Sequence, residues 1–116
     1  MAYLYELAWP APVNGGILGA CHGLDGPLVF GNLEGGLAGR LIGPPPFPAA
    51  EEMSAQFRRA WTRFAATGDP GWPAYDPRER LTRIFDIPPA VVPYPAETSR
   101  RLWQDHVPPR PLPLTA

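Results

Sequence analysis

Residues 2–9 read AYLYELAW, an alternating stretch in which both sets of side chains are largely apolar. One face of an extended chain would carry aromatic and aliphatic side chains, and the other face is apolar except for Glu6. Strands that are buried on both sides are typical of the parallel sheets of α/β proteins. The pattern therefore predicts a central strand covered on both faces and ended by Pro10 and Pro12.

A glycine-rich loop that contains a histidine follows this strand. The segment ACHGLDGPLVFGNL, residues 20–33, places His22 among small residues and three positions before Asp25. Functional sites of α/β sheets lie beyond the carboxyl ends of strands, which makes His22 a candidate catalytic base. The alternative is a loop histidine that bonds to the backbone. Asp25, followed by Gly26 and Pro27, is typical of the N-cap of a short helix.

The second half of the chain contains the clearest helix. In residues 49–67 apolar side chains recur every three or four positions, acidic residues precede arginines, and Gly68 follows directly. This order predicts one long amphipathic helix with its apolar stripe in the core. Residues 81–87 and 90–94 predict two short edge strands, and residues 97–106 predict a last short helix.

Size and charge limit the classes of partner. The chain has 116 residues, the length of one small domain or of a piece of a larger one. Its 10 basic and 11 acidic residues give a net charge of −1, which favours neither a nucleic-acid nor a membrane partner. No segment approaches the roughly 20 apolar residues that span a bilayer.

The chain has few residues that could form a disulfide or bind a metal ion. Cys21 is the single cysteine, so no internal disulfide or cysteine-based zinc site can form in this chain. A Cys21–His22 nucleophile pair is disfavoured because adjacent side chains on extended backbone point to opposite faces, which leaves a small buried hydrophobe as the simpler role. Two acids and two histidines, Asp25, Asp105, His22 and His106, show no metal-ligand spacing, so no metal site is predicted.

Four blocks of the sequence, in order, resemble the type-B carboxylesterases, the family of the cholinesterases and the bacterial para-nitrobenzyl esterases. The blocks are YLYELAW, ACHGLDGPLVFGNL, AWTRFAATGDPGWPAY and LTRIFD. The resemblance implies an α/β chain that is the C-terminal fragment of an α/β-hydrolase fold. Residues 1–116 would form a single partial domain with a proline-rich tail at about 107–116. It also implies that His22 is the histidine of a Ser-His-Glu triad, with Gly23 and Asp25 supporting the His-bearing loop.

The rest of such a triad is not evident in the sequence. Of the two serines, neither Ser54 nor Ser99 has glycines two positions before and after it, as a G-x-S-x-G elbow requires. The Gly15-Gly16 and Gly35-Gly36 pairs are typical of turns rather than of an oxyanion loop. The acidic member lies upstream of the histidine segment in the family. We therefore expect negligible esterase turnover from the chain alone.

The resemblance implies a carboxylic ester as the substrate of the complete enzyme, with no metal or organic cofactor. An N-terminal esterase polypeptide or upstream sequence would complete the site, and self-association is a further possibility for an apolar strand with open edges. The alternative function is a non-catalytic interaction module that uses PPRPLPL, residues 108–114, as a polyproline II ligand. As it stands the sequence fits a cytoplasmic protein, although any signal peptide would lie upstream.

Overall fold

The computed structural model describes residues 1–94 and 97–107, in which a three-stranded sheet packs against a long helix. In chain order the elements are β1 (Tyr5–Leu7), a 3-10 turn (Val13–Gly16), α1 (Asp25–Phe30), α2 (Gly36–Leu41), α3 (Pro48–Thr67), β2 (Leu81–Phe85), β3 (Ala90–Pro93) and α4 (Glu97–Trp103). Strand β2 lies in the middle of the sheet, parallel to β1 and antiparallel to β3. The fold is thus a small mixed sheet with helices, as expected of a piece of an α/β protein.

Strand β1 is an edge strand, which corrects the prediction of a central strand buried on both faces. It pairs only with β2 among the described strands, with Tyr5 opposite Arg83, and Tyr5 is 37% exposed. The central position belongs to β2, where Thr82 and Phe85 are fully buried. The prediction that residues 81–87 form an edge strand is therefore also wrong, whereas β3 is an edge strand as predicted.

Hydrogen bonds from distant segments hold the start of β1 in place. The carbonyl oxygen of Leu4 accepts the Arg83 backbone N–H at 3.0 Å and the Trp72 indole N–H at 3.1 Å. The N–H of Tyr75 donates to the carbonyl of Ala2 at 2.8 Å. The loop after α3 therefore crosses the chain just before β1 and ties it to the sheet.

The long amphipathic helix predicted from residues 49–67 is confirmed as α3, which begins one residue earlier. Gly68, at φ +74°, ends it by donating its backbone N–H to the carbonyl of Phe64 at 2.8 Å. Its buried face carries Phe57, whose ring stacks on Phe85 with centroids 4.0 Å apart. The aromatic stripe is only partly in the core, because Phe64, farther along the helix, is half exposed.

Helix α1 packs against α3 and begins at Asp25 itself, so the prediction of Asp25 as the N-cap is wrong. The cap residue is Leu24, which has helical backbone angles and makes no side-chain capping bond. Leu24 and Leu28 are fully buried, and the Ser54 hydroxyl on α3 donates to the carbonyl of Leu28 at 2.8 Å. Burial of Leu24 therefore sets the start of the helix, in place of a polar cap.

Two elements of the first half were not predicted. The 3-10 turn occupies residues of the first glycine-rich loop, and α2 begins at Gly36, which sequence analysis assigned to a turn. Gly35, at φ +66°, precedes α2, and the buried side chains of Ala38 and Leu41 fix this helix against the core. No helix within residues 1–94 and 97–107 has the length and apolarity of a membrane span. The predicted last helix is confirmed as α4, whereas residues 108–114 lie outside the described part of the chain.

Candidate functional site

His22 lies in a tight turn immediately before α1. The backbone N–H of Cys21 donates to the carbonyl of Gly19 at 3.0 Å, and that of Leu24 donates to the carbonyl of Cys21 at 3.3 Å. These two bonds fold the chain back on either side of His22. The turn is therefore held by backbone bonds and by the burial of Leu24, and the histidine side chain is not needed to form it.

Gly23 occupies a position that an ordinary residue would not fit. Its φ is +82°, a region that favours glycine, and a Cβ placed there would lie 3.3 Å from Cδ2 of Leu37. The approach of α2 to this turn leaves little space beside the backbone. Gly23 therefore has a clear structural role in shaping the loop that presents His22.

The imidazole of His22 is exposed and makes no hydrogen bond or ion pair with any residue that the structure describes. The interpretation of His22 as a histidine bonded to the backbone thus has no counterpart within that part of the chain. The exposed side chain is accessible to a group outside that part of the chain. A base that works on an external hydroxyl needs this kind of access.

Asp25 raises the pKa of Tyr5 and makes no ion pair with His22. Burial of the Tyr5 ring and, second, the negative charge of Asp25 raise the pKa of the Tyr5 phenol above its usual value. The Tyr5 ring itself packs edge-on against Trp61 of α3 at a centroid separation of 5.2 Å. In this arrangement Asp25 does not orient the imidazole.

The other nucleophile and ligand candidates are not assembled at the turn. Cys21 packs against the hydrophobic core while His22 is exposed, as expected of a small hydrophobe and not of a Cys-His pair. Ser54 is 1% exposed and its hydroxyl is bonded to Leu28, so it does not face a substrate. Within the described ranges no three or more metal-ligating side chains come together, and Asp25 and His106 belong to no such group.

An exposed apolar surface lies beside the turn and was not predicted from the sequence. Phe30 is 84% exposed and Ile17 is 81% exposed, and Leu37 is half exposed. Phe30 and Leu37 line one shallow cavity of about 410 Å³ next to the start of α1. Exposed apolar clusters of this kind mark surfaces that another element or chain covers. The position of Phe30 and Leu37 at one cavity could not be read from the sequence, because it depends on α2, which was not predicted.

The para-nitrobenzyl esterase of Bacillus subtilis (strain 168) is 38% identical to the chain over 72 residues, which cover 58% of the chain and 14% of that enzyme. A solved structure of a PNB esterase superposes with a TM-score of 0.73 at 30% identity, covering 85% of the chain and 21% of that structure. A solved structure of a carboxylesterase of Geobacillus stearothermophilus superposes with a TM-score of 0.70 at 30% identity. The match covers 88% of the chain and 22% of that structure. No family model matches the sequence.

The chain thus spans about a fifth of the length of the enzymes that it resembles. Sequence and structure point to the same group of proteins, because para-nitrobenzyl esterases and carboxylesterases occur among both the sequence relatives and the structural neighbours. The neighbours also account for the small mixed sheet and its helices, which correspond to part of an α/β-hydrolase fold. These matches identify the chain as a relative of the type-B carboxylesterases, with which it shares sequence and fold over part of their length.

Proposed function

We propose that the chain is the C-terminal segment of a serine carboxylic-ester hydrolase and contributes His22 as the histidine of a Ser-His-Glu triad. The observation that carries the proposal is the free imidazole of His22, exposed on a turn that the backbone and Gly23 hold in shape. The esterase relatives support the reaction class. The serine and the acid come from an N-terminal esterase part, for which the exposed apolar surface at Phe30 and Leu37 provides a contact area.

The chemistry assigned to His22 is general acid-base catalysis. The imidazole takes the proton of the serine hydroxyl as that oxygen attacks the ester carbonyl, and returns the proton to the departing alcohol. The same exchange with water releases the acid from the acyl-enzyme. An imidazole suits both directions because imidazoles in general titrate near neutrality.

The supporting residues have different tasks in this proposal. Gly23 permits the turn and the close approach of Leu37, so that the ring is presented at a fixed place. Asp25 is the first residue of α1 and directly follows the turn, whose end is fixed by the burial of Leu24. Since Asp25 does not pair with His22, the orienting carboxylate is supplied by the N-terminal part.

A chimeric enzyme tests the proposal. The segment of the Bacillus subtilis para-nitrobenzyl esterase that matches this chain is replaced by the chain, and hydrolysis of a para-nitrophenyl ester is measured. We expect an active chimera that loses about 10²-fold to 10⁴-fold of its turnover number with His22→Ala, the range for removal of a general base. His106→Ala is the matched control and should leave the rate unchanged.

Two results would overturn the assignment. The first is a chimera that folds with the helical circular dichroism of its parent but has no activity. The second is a His22→Ala chimera as active as the unsubstituted one. The isolated chain, measured in parallel, should hydrolyse the ester no faster than free imidazole at the same concentration.

A further inference from the structure

Three arginines converge on one cavity away from the His22 turn, between the second half of α3 and the central strand. The cavity has a volume of about 240 Å³. Its polar and aromatic lining is formed by Gln56, Arg59, Arg63, Trp72, Arg83 and Phe85. No part of the proposed esterase mechanism uses these residues, so the cluster needs a separate explanation.

Arg83 is held in place but is incompletely bonded. Its Nη2 donates to Oε1 of Gln56 at a long 3.4 Å, and its guanidinium lies 5.4 Å from the centroid of the Phe85 ring. Its Nε is buried and has no hydrogen-bond partner in the structure. Buried donors are nearly always paired, so the guanidinium of Arg83 lacks part of its usual set of acceptors.

The charges around the cavity are not balanced. Burial and, second, the positive charge of Arg59 lower the pKa of Arg83. Among the residues described, neither Arg59 nor Arg83 forms an ion pair with a carboxylate. Arg63 does pair with Asp69, whose other oxygen accepts the Gly71 N–H at 2.8 Å. Two positive charges therefore remain uncompensated at one site.

We propose that the cavity between Arg59, Arg63 and Arg83 binds a phosphate group, either as inorganic phosphate or as a phosphomonoester. A guanidinium offers a planar set of donors that matches phosphate oxygens, and three guanidinium side chains line this cavity. A phosphate dianion also neutralises the two uncompensated charges. The site lies apart from His22 and does not depend on the esterase proposal.

Titration of the full 116-residue chain with inorganic phosphate tests the site, with sodium chloride adjusted to keep the ionic strength constant. The Nε–Hε resonances of the arginine side chains are followed by NMR, since a buried proton exchanges slowly enough to be observed. We expect a saturating shift of the Arg83 resonance with phosphate. A titration with acetate at the same ionic strength should give a weaker response, because acetate carries a single charge.

Matched substitutions assign the response to the cluster. Arg59→Gln should weaken phosphate binding about tenfold, as expected for the loss of one charge-assisted contact. Arg58→Gln removes the same charge from the neighbouring position of α3, outside the cavity, and should leave binding within twofold. Arg83→Lys keeps the charge but loses the planar donors, so it should bind less tightly than the unsubstituted chain.

The outcomes are distinguishable. Tighter binding of phenyl phosphate than of inorganic phosphate would assign the site to phosphorylated molecules, and equal binding would assign it to the free ion. A shift that does not saturate, or that chloride reproduces, would overturn the proposal. An equal loss of affinity in Arg58→Gln and Arg59→Gln would do the same, since it would reflect only the net charge of α3.

Discussion

The negative charge of Asp25 contributes to the raised pKa of the Tyr5 phenol, and this effect can be tested in solution. Replacement by Asn should lower the pKa of the Tyr5 phenol, but not to the usual value of about 10, because burial is the larger cause of the shift. Ultraviolet absorbance of the phenolate measures the change, and Tyr5→Phe identifies the signal. Glu34→Gln removes an equal charge from an exposed position and should leave the Tyr5 titration unchanged.

The same pair sets the direction of a stability change in alkali. A phenol whose pKa is raised in the folded chain favours folding below its unfolded pKa, and this contribution is lost as the pH rises through the folded pKa. Because Asp25→Asn narrows the difference between the two pKa values, the variant should lose less of its free energy of unfolding above about pH 10. Equal alkaline losses in Asp25→Asn and in the unsubstituted chain would contradict the assignment of Asp25 to Tyr5.

At the scale of the elements, alanine substitution at two glycines of the helices should change the free energy of unfolding in opposite directions. Gly68 ends α3 at φ +74°, where a Cβ is strained, so Gly68→Ala should lower the free energy of unfolding by about 1 kcal/mol. Gly39 lies inside α2 without a positive φ and with no atom near its Cβ position, so Gly39→Ala should raise it by about 0.5–1 kcal/mol. Chemical denaturation of both variants measures the difference, and shifts of the same sign would contradict it.

The elements also show where sequence reasoning succeeds and where it stops. Helix α3 was predictable because its periodic apolar face and its terminal Gly68 are local signals. The edge position of β1 was not, because a strand with two apolar faces does not specify how many neighbours it has. Asp25 followed the local rule for a cap, but burial of Leu24 decided where α1 begins. Helix α2 contains two glycines, Gly36 and Gly39, and is fixed by tertiary contacts of Ala38 and Leu41.

The candidate site was likewise predictable only in part. The glycine-flanked position of His22 and the family resemblance drew attention to the turn, and the structure places the ring in solvent. The effect of Asp25 on the pKa of Tyr5 was unpredictable, because the two residues belong to separate elements, α1 and β1. The arginine cluster was hidden for a similar reason, since Arg83 is twenty or more residues from the arginines on α3.

For the whole molecule, the free edge of β1 predicts self-association of the isolated chain. Leu4 and Ala8 bond to β2, so the alternation of a strand directs the backbone N–H groups of Tyr5 and Leu7 away from it. Leu7→Pro removes one outward-facing backbone N–H. Leu7→Ala shortens the side chain but retains that N–H. Sedimentation equilibrium should show about tenfold weaker association for Leu7→Pro than for Leu7→Ala. Equal association of the two variants would show that this edge is not the contact.

The double acceptor at Leu4 has a consequence for how the molecule opens. The Leu4 carbonyl oxygen accepts hydrogen bonds from Trp72 and Arg83, residues that are 68 and 79 positions farther along the chain. If β1 detaches, the indole proton and the amide proton lose their acceptor in the same event. Hydrogen exchange at these two sites should therefore be governed by one opening equilibrium, so that the first strand, the loop after α3 and the central strand behave as a single cooperative unit.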